Sequence, residues 1–237
     1  MTLEILLSRL FQSHPWHGIP PGDAADAVNA YVEIVPTDAV KYELDKASGH
    51  LRIDRPQRYS SQAPMPYGFV PRTWCGPRVG RRCTDRTGVP VSFGDRDPID
   101  ICVLTEKTFA QGNFLCRARP IGGLRIIDES GGSSPGARHD PASAGEADDK
   151  IVAVLEHDLA YGHLRELAEA PRGVVERLQH YFVTYKQLPG EGPRKVRIAE
   201  VYGREEAVET LRASEADYRD EYGAPEGRIE ALRALLR

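Results

Sequence analysis

Residues 94–104 read GDRDPIDICVL, so that Asp95, Asp97 and Asp100 crowd together and then run straight into Ile101, Cys102, Val103 and Leu104. Aspartates are poor strand formers and repel one another at close range. The apolar run behind them has the length and composition of a buried strand. Like charges are therefore held at the rim of a hydrophobic core, which requires positive charge among them. A calcium loop would place Asp95, Asp97 and Glu106 at positions one, three and twelve. Position six, which must be Gly, is Asp100, and the flanks read as strand, so that motif is excluded.

The pattern recurs along the chain. IIDES puts Asp128 and Glu129 at the end of a second apolar run, and ADDKIVAV puts Asp148, Asp149 and Lys150 at the start of a third. VEI and KYELDK add Glu33, Lys41 and Glu43. Carboxylates at successive strand ends can be gathered at one mouth of a fold. A set of hard oxygen donors without His or Cys suits Mg²⁺ or Mn²⁺, and a surplus of carboxylates suits more than one ion. Lys41, Arg55, Lys150 and Lys186 lie beside these acids in the sequence. Taken singly they read as surface ion pairs, but phosphate groups require metal ions and Lys/Arg donors together. Chemistry at phosphorus is the reading that uses both sets. Tyr67 in PYGFVP and Tyr185 in TYK offer phenolic donors, although a core position alone would explain Tyr185.

Around these motifs the chain reads as short strands: VNAYVEIVP (28–36), KYELD, HLRID, IDICVL (99–104), FLCRARPIGGLRIID (114–128) and KIVAVL (150–155). KASGH between the second and third is a hairpin turn with Gly49 free to take positive φ. Many short strands joined by turns predict a barrel or sandwich. Residues 72–93 and 130–147 interrupt the pattern as inserts, the second with a flexible-loop composition. RGVVERLQHYFVTYKQL carries Val174, Leu178, Tyr181, Phe182 and Tyr185 on one helical face. Residues 204–237 read as two further helical segments separated by Pro225. The organisation expected is a lead-in over 1–22, a catalytic domain over 23–203 and a helical extension over 204–237.

With 237 residues, 41% apolar and 28% charged, the composition is that of an ordinary globular chain. A net charge of −4 argues against nucleic-acid binding, which favours a basic footprint. The start of the chain lacks a basic region and a small-residue cleavage site, and no stretch approaches a membrane span. The four cysteines form no CxxC pair. A cytoplasmic protein with reduced thiols is expected, and a zinc site at Cys75 and Cys83 is disfavoured.

In chain order, EIVPTDAVKYELDKASGHLRIDR, PMPYGFVPRT, GDRDPIDICVL, RPIGGLRIIDES, DDKIVAV and HYFVTYKQL resemble the family I soluble inorganic pyrophosphatases over roughly residues 15–200. The resemblance implies a mainly β fold, an OB-fold-like five-stranded barrel with flanking helices, and Mg²⁺-dependent hydrolysis of pyrophosphate, with Mn²⁺ as a substitute. It implies that Asp95, Asp100 and Asp148 bind the activating metals. Asp128 would hold a further substrate-associated ion, with Glu33, Glu43 and Glu129 as direct or water-mediated ligands. Asp97 would accept the proton of the attacking water. Lys41, Arg55, Lys150, Tyr185 and Lys186 would contact the phosphates, with Tyr67 among them. Assembly as a homo-oligomer is implied as well, with no nucleic-acid or membrane partner.

Two departures from the family pattern stand out. Ala63 replaces a tyrosine that usually lines the site, with Tyr59 close in sequence, and Arg96 replaces a glycine between the first two aspartates. Whether Asp148 or its neighbour Asp149 is the ligand rests on spacing to Lys150. Two other function classes compete with the enzyme: a descendant repurposed to bind phosphate or a partner without turnover, and an OB-type nucleic-acid module, which the acidic chain disfavours.

Overall fold

The computed structural model describes residues 12–58, 60–129, 143–186, 190, 192, 195–224 and 234. The helix expected before residue 12, most of the 130–147 insert and the final helical segment lie outside them, as does Tyr59. Among the described residues no helix is long and apolar enough to cross a membrane.

Among the described residues nine strands and three α-helices follow in order: β1 (Val28–Ile34), β2 (Val40–Leu44), β3 (Leu51–Pro56), β4 (Tyr67–Phe69), α1 (Pro77–Thr87), β5 (Asp100–Leu104), β6 (Phe114–Asp128), β7 (Glu146–Ala147), β8 (Lys150–Leu155), α2 (Arg172–Thr184), β9 (Val196–Gly203) and α3 (Arg204–Tyr222). A short 3₁₀ turn, Leu167–Glu169, precedes α2. Strands β1, β4, β5, β8 and β6 pair in that order, and β6 pairs back onto β1, closing a five-stranded barrel. Among the strand pairs of the described residues, only β5 and β8 run parallel. Closure abolishes open edges on the barrel strands.

Local chemistry explains the closure. β6 is long enough to complete the barrel with β1 and β8 and then pair with β7 and β9. Its register with β8 shifts between Pro120 and Gly122, where a proline without an N–H and a glycine bend the strand. At the β1–β4 seam, a Cβ on Gly68 would lie 1.9 Å from the carbonyl oxygen of Tyr31, so only glycine permits this approach. The β2–β3 hairpin stands as its own sheet, turning through Gly49 at φ 73°.

Apolar side chains from alternate positions of β8 divide between two cores. Ile151 and Ala153 face one with α1, α3 and Tyr202; Val152 and Val154 face the other with α2. The 72–93 insert contributes to the first core: α1 starts at Pro77, ends at Gly88 with φ 70°, and buries Val79 and Cys83. Cys75 and Cys83 are free, and burial pushes both thiols up, Cys83 to about 11. They pack as small apolar groups, and a thiolate zinc site is disfavoured there.

The helix α3 packs back on the barrel through Ala207, Val208 and Leu211, and its Asp217 reaches the start of α1. The Asp217 carboxylate accepts from the backbone N–H groups of Gly76 (3.1 Å), Arg78 (3.0 Å) and Val79 (3.2 Å). Gly76 lacks a side chain that could cap α1, so a residue distant in sequence does so. Asp217→Ala strands these donors in a buried place. It is expected to lower unfolding free energy by about 1.5–3 kcal/mol in urea titrations, and a loss below about 0.5 kcal/mol would show the cap to be dispensable.

Candidate active site

The strand ends and the β2–β3 hairpin converge on one pocket of about 440 Å³. Its walls include Glu33, Lys41, Glu43, Arg55, Tyr67, Asp95, Asp97, Asp100, Asp128, Asp148, Lys150, Tyr185 and Lys186. Of the residues that the family resemblance places at the site, Glu129 is the one missing from these walls. The Glu129 carboxylate instead pairs with Arg197 Nε at 3.1 Å and is 43% exposed. Alternation along the end of β6 explains the difference in placement: Asp128 and its successor point to opposite faces. The two aspartates that precede Lys150 part in the same way. Asp148 and Lys150 share the pocket face of β8, and Asp149 turns into the opposite core beside Arg125.

At the floor, one carboxylate oxygen from each of Asp95, Asp100 and Asp148 lies within 4.8 Å of the others. Lys150 donates to both Asp100 and Asp148, and the Tyr67 hydroxyl donates to Asp100 Oδ2 at 2.5 Å. Burial drives Asp95 up, reinforced by Asp148 and Asp97. Burial raises Asp100 as well. Burial also works against the Asp148 charge, but Lys150 and Lys186 outweigh it and bring that group down to about 2. Burial disfavours the Lys150 ammonium, yet Asp100 and Asp148 hold its pKa well above the usual lysine value.

The loop carrying Asp95 and Asp97 is fastened by backbone bonds. Cys75 N–H donates to the Asp97 carbonyl (2.8 Å), Arg96 N–H to the Cys75 carbonyl (3.1 Å), and the Trp74 indole to the Arg96 carbonyl (2.9 Å). Arg96, at φ 64°, sends its guanidinium away from its aspartate neighbours to Glu146, 2.9 Å away. The departure from glycine is thus absorbed by a partner within the pocket. Lys46, in the β2–β3 turn, pairs with Asp97.

Cations ring the upper walls. Lys41 sits 3.2 Å from both Glu43 and Asp54, Arg55 2.5 Å from Asp54, and Lys186 2.7 Å from Asp128. Tyr185 is buried against Tyr181 with ring centroids 5.0 Å apart, and it also lines the pocket. Ala63 is buried in the α2-side core and offers no donor.

Asp54, Arg58 and Glu146 line the pocket as well and were not anticipated. Strict alternation would send Asp54 and Arg55 to opposite faces of β3, so Asp54 carries no signal of its own. The register opposite β2 shifts: Lys41 faces Arg55, but Tyr42 faces Ile53. Asp54 is the extra residue of a bulge, and the bulge brings Asp54 and Arg55 together into the pocket lining.

Glu33 sets a pH dependence for the metal-free protein. It is 7% exposed and accepts the Leu44 N–H at 2.7 Å. Burial raises its pKa from 4.5 to about 8. Burial raises Asp149 from 3.8 to about 7. Between those limits the folded chain holds protons that the unfolded chain has released, so stability falls as pH rises. In the presence of EDTA the melting temperature is expected to decline from about pH 5 to about pH 8. A rise across that interval would show that these carboxyls are solvated.

Comparison with known proteins agrees with this geometry. The inorganic pyrophosphatase family model matches residues 30–219. The chain is 44% identical over 210 residues to the inorganic pyrophosphatase of Chlamydia muridarum, covering 86% of this chain and 93% of that one. It is 35% identical to the soluble inorganic pyrophosphatase of Oryza sativa subsp. indica, covering 97% and 90% of the two chains. The crystal structure of inorganic pyrophosphatase from Thermus thermophilus superposes with a TM-score of 0.67 at 26% identity, over 87% of this chain and 99% of that one. A closed five-stranded barrel, an acid-and-base pocket at its mouth and these similarities converge: the chain belongs to the inorganic pyrophosphatase family and is an inorganic diphosphatase.

Proposed function

We propose that this pocket hydrolyses pyrophosphate to two phosphates, with Asp97 as the proton acceptor and Mg²⁺ as the activating metal. The observation that carries the reading is the cluster of Asp95, Asp100 and Asp148 within 4.8 Å, ringed by Lys and Arg. The donor set fits such an ion. No His or Cys lines the pocket among the described residues, and its carboxylates outnumber its cations. The Lys150 ammonium between Asp100 and Asp148 shows that the acids already favour a positive charge there.

Asp95, Asp100 and Asp148 would hold the activating ions, with Asp128, Glu33 and Glu43 around them. When bound, divalent cations supply neutralisation of the phosphates and acidification of the attacking water. Asp97 takes the proton as the water oxygen attacks phosphorus and the bridging P–O bond breaks. Lys41, Arg55, Lys150 and Lys186 stabilise charge on the transferring and departing phosphates, and Tyr185 and Tyr67 orient them. Glu129, on the outer face with Arg197, is left with at most a water-mediated part in metal binding.

The test is phosphate release from pyrophosphate by purified protein, with Mg²⁺ and with EDTA. Release that needs the metal is expected, with Mn²⁺ as a weaker substitute. No release with any divalent metal from folded protein would overturn the reading in favour of a phosphate-binding descendant. The four free cysteines support a reducing compartment such as the cytoplasm. The reading extends to a homo-oligomer, measurable by light scattering.

A further inference from the structure

The pocket cations differ in what already occupies them. Lys41 is shared between Glu43 and Asp54, Arg55 faces Asp54, Lys150 is held by Asp100 and Asp148, and Lys186 faces Asp128. Each must loosen or share a carboxylate before it can meet an incoming anion. Arg58 lines the same pocket and has no carboxylate partner among the described residues. Among the described residues its one hydrogen bond runs from Nη1 to the main-chain carbonyl of Lys186, 3.2 Å away.

Among the described residues that bond leaves the remaining guanidinium donors uncommitted while fixing the group beside Lys186. A planar fork so placed matches two oxygens of a phosphate, and its positive charge is not offset locally. Arg58 follows β3 on the connection that also carries Ala63, whose methyl group is buried and gives the pocket no donor. An anion entering the pocket therefore meets Arg58 as its least neutralised cation.

We propose that Arg58 is a further substrate-binding residue, a guanidinium clamp that grips a terminal phosphate of pyrophosphate at the pocket mouth beside Lys186. The inference rests on the reading of this pocket as a pyrophosphate site. The clamp acts on ground state and transition state alike, because it sits beside Lys186, whose carboxylate partner is Asp128 and not Asp97. Its loss should therefore raise KM and leave kcat nearly unchanged.

The experiment compares wild type with Arg58→Gln and Arg58→Lys in Mg²⁺, reading steady-state kinetics with pyrophosphate and calorimetric binding of the non-hydrolysable analogue methylenediphosphonate. Arg58 is exposed and outside both cores, so the variants should melt with the wild type. For Arg58→Gln, KM and the analogue Kd are expected to rise about tenfold with kcat within about twofold. Arg58→Lys keeps the charge without the fork and should recover part of the loss. KM and Kd within about twofold of wild type, or a fall in kcat with KM unchanged, would overturn the clamp. The analogue arm needs no turnover, so a wild type that binds it without hydrolysing pyrophosphate would sink the enzymatic reading and still decide the role of Arg58.

Discussion

Asp97→Asn is expected to lower kcat by about 10²–10⁴-fold, with kcat/KM falling in parallel and the fold intact. Asn keeps the size of the side chain and removes the ability to take a proton. The folded state has little to lose. The Asp97 backbone N–H still donates to Asp95 Oδ1 at 3.0 Å, and its carbonyl still accepts from Cys75. The ion pair with Lys46 joins side chains that are 32% and 43% exposed, a setting in which such pairs contribute little to stability. A large rate loss would therefore report chemistry and not unfolding.

Asp95→Asn separates proton transfer from metal binding. Asp95 belongs to the close carboxylate cluster, so its loss should raise the Mg²⁺ concentration needed for half-maximal rate. Asp97→Asn should leave that concentration within about threefold of wild type while rate stays low at saturation. Residual kcat within about tenfold of wild type would remove Asp97 as the base. Rescue of the variant by excess metal would reassign it to metal binding.

Much of this site is legible in the sequence, and the reason is physical. A buried strand that begins or ends in several carboxylates violates the usual burial of charge, so DRDPID, IIDES and DDKIVAV signalled a shared cation site. What escaped the reading depends on register. A bulge delivers Asp54, and alternation at the end of β6 turns Glu129 toward Arg197. Arg58 lies just past a strand end, where alternation no longer predicts direction. For the fold, β6 and β8 have the limits expected from the sequence, because continuous apolar runs mark doubly buried strands. α1 was missed because its buried face is made of Val79, Gly80 and Cys83 amid a surplus of arginines. β9 was missed because its pairing with β6 spans a long sequence separation.

Replacing Arg125 by Met is expected to destabilise the protein by about 3–5 kcal/mol, a loss larger than that of any surface ion pair. Arg125 is fully buried on the side of β6 facing away from the catalytic mouth. Its Nη1 meets Glu200 at 2.6 Å, Nη2 meets Glu206 at 2.5 Å, and Nε lies 3.6 Å from Asp149. Its guanidinium also lies 4.9 Å from the centroid of the Tyr202 ring. Glu206 keeps Arg82 and Arg86 when Arg125 is lost, at 2.6 and 2.7 Å, and Glu200 is partly exposed. Asp149 has no such reserve. It is 2% exposed, and neither of its oxygens has a hydrogen-bond partner among the described residues. Most of the cost should therefore fall on Asp149, and Arg125→Met with Asp149→Leu should recover a large part of it. For a chain of this size each kcal/mol corresponds to about 2–4 °C in melting temperature, so the single variant should melt roughly 6–20 °C lower. Asp149 is the chain neighbour of Asp148, so the same core that stabilises the fold also sets the start of β8. A single variant that loses less than about 1 kcal/mol would show the cluster to be solvated, and a double variant no better than the single would show that Asp149 is not the strained partner.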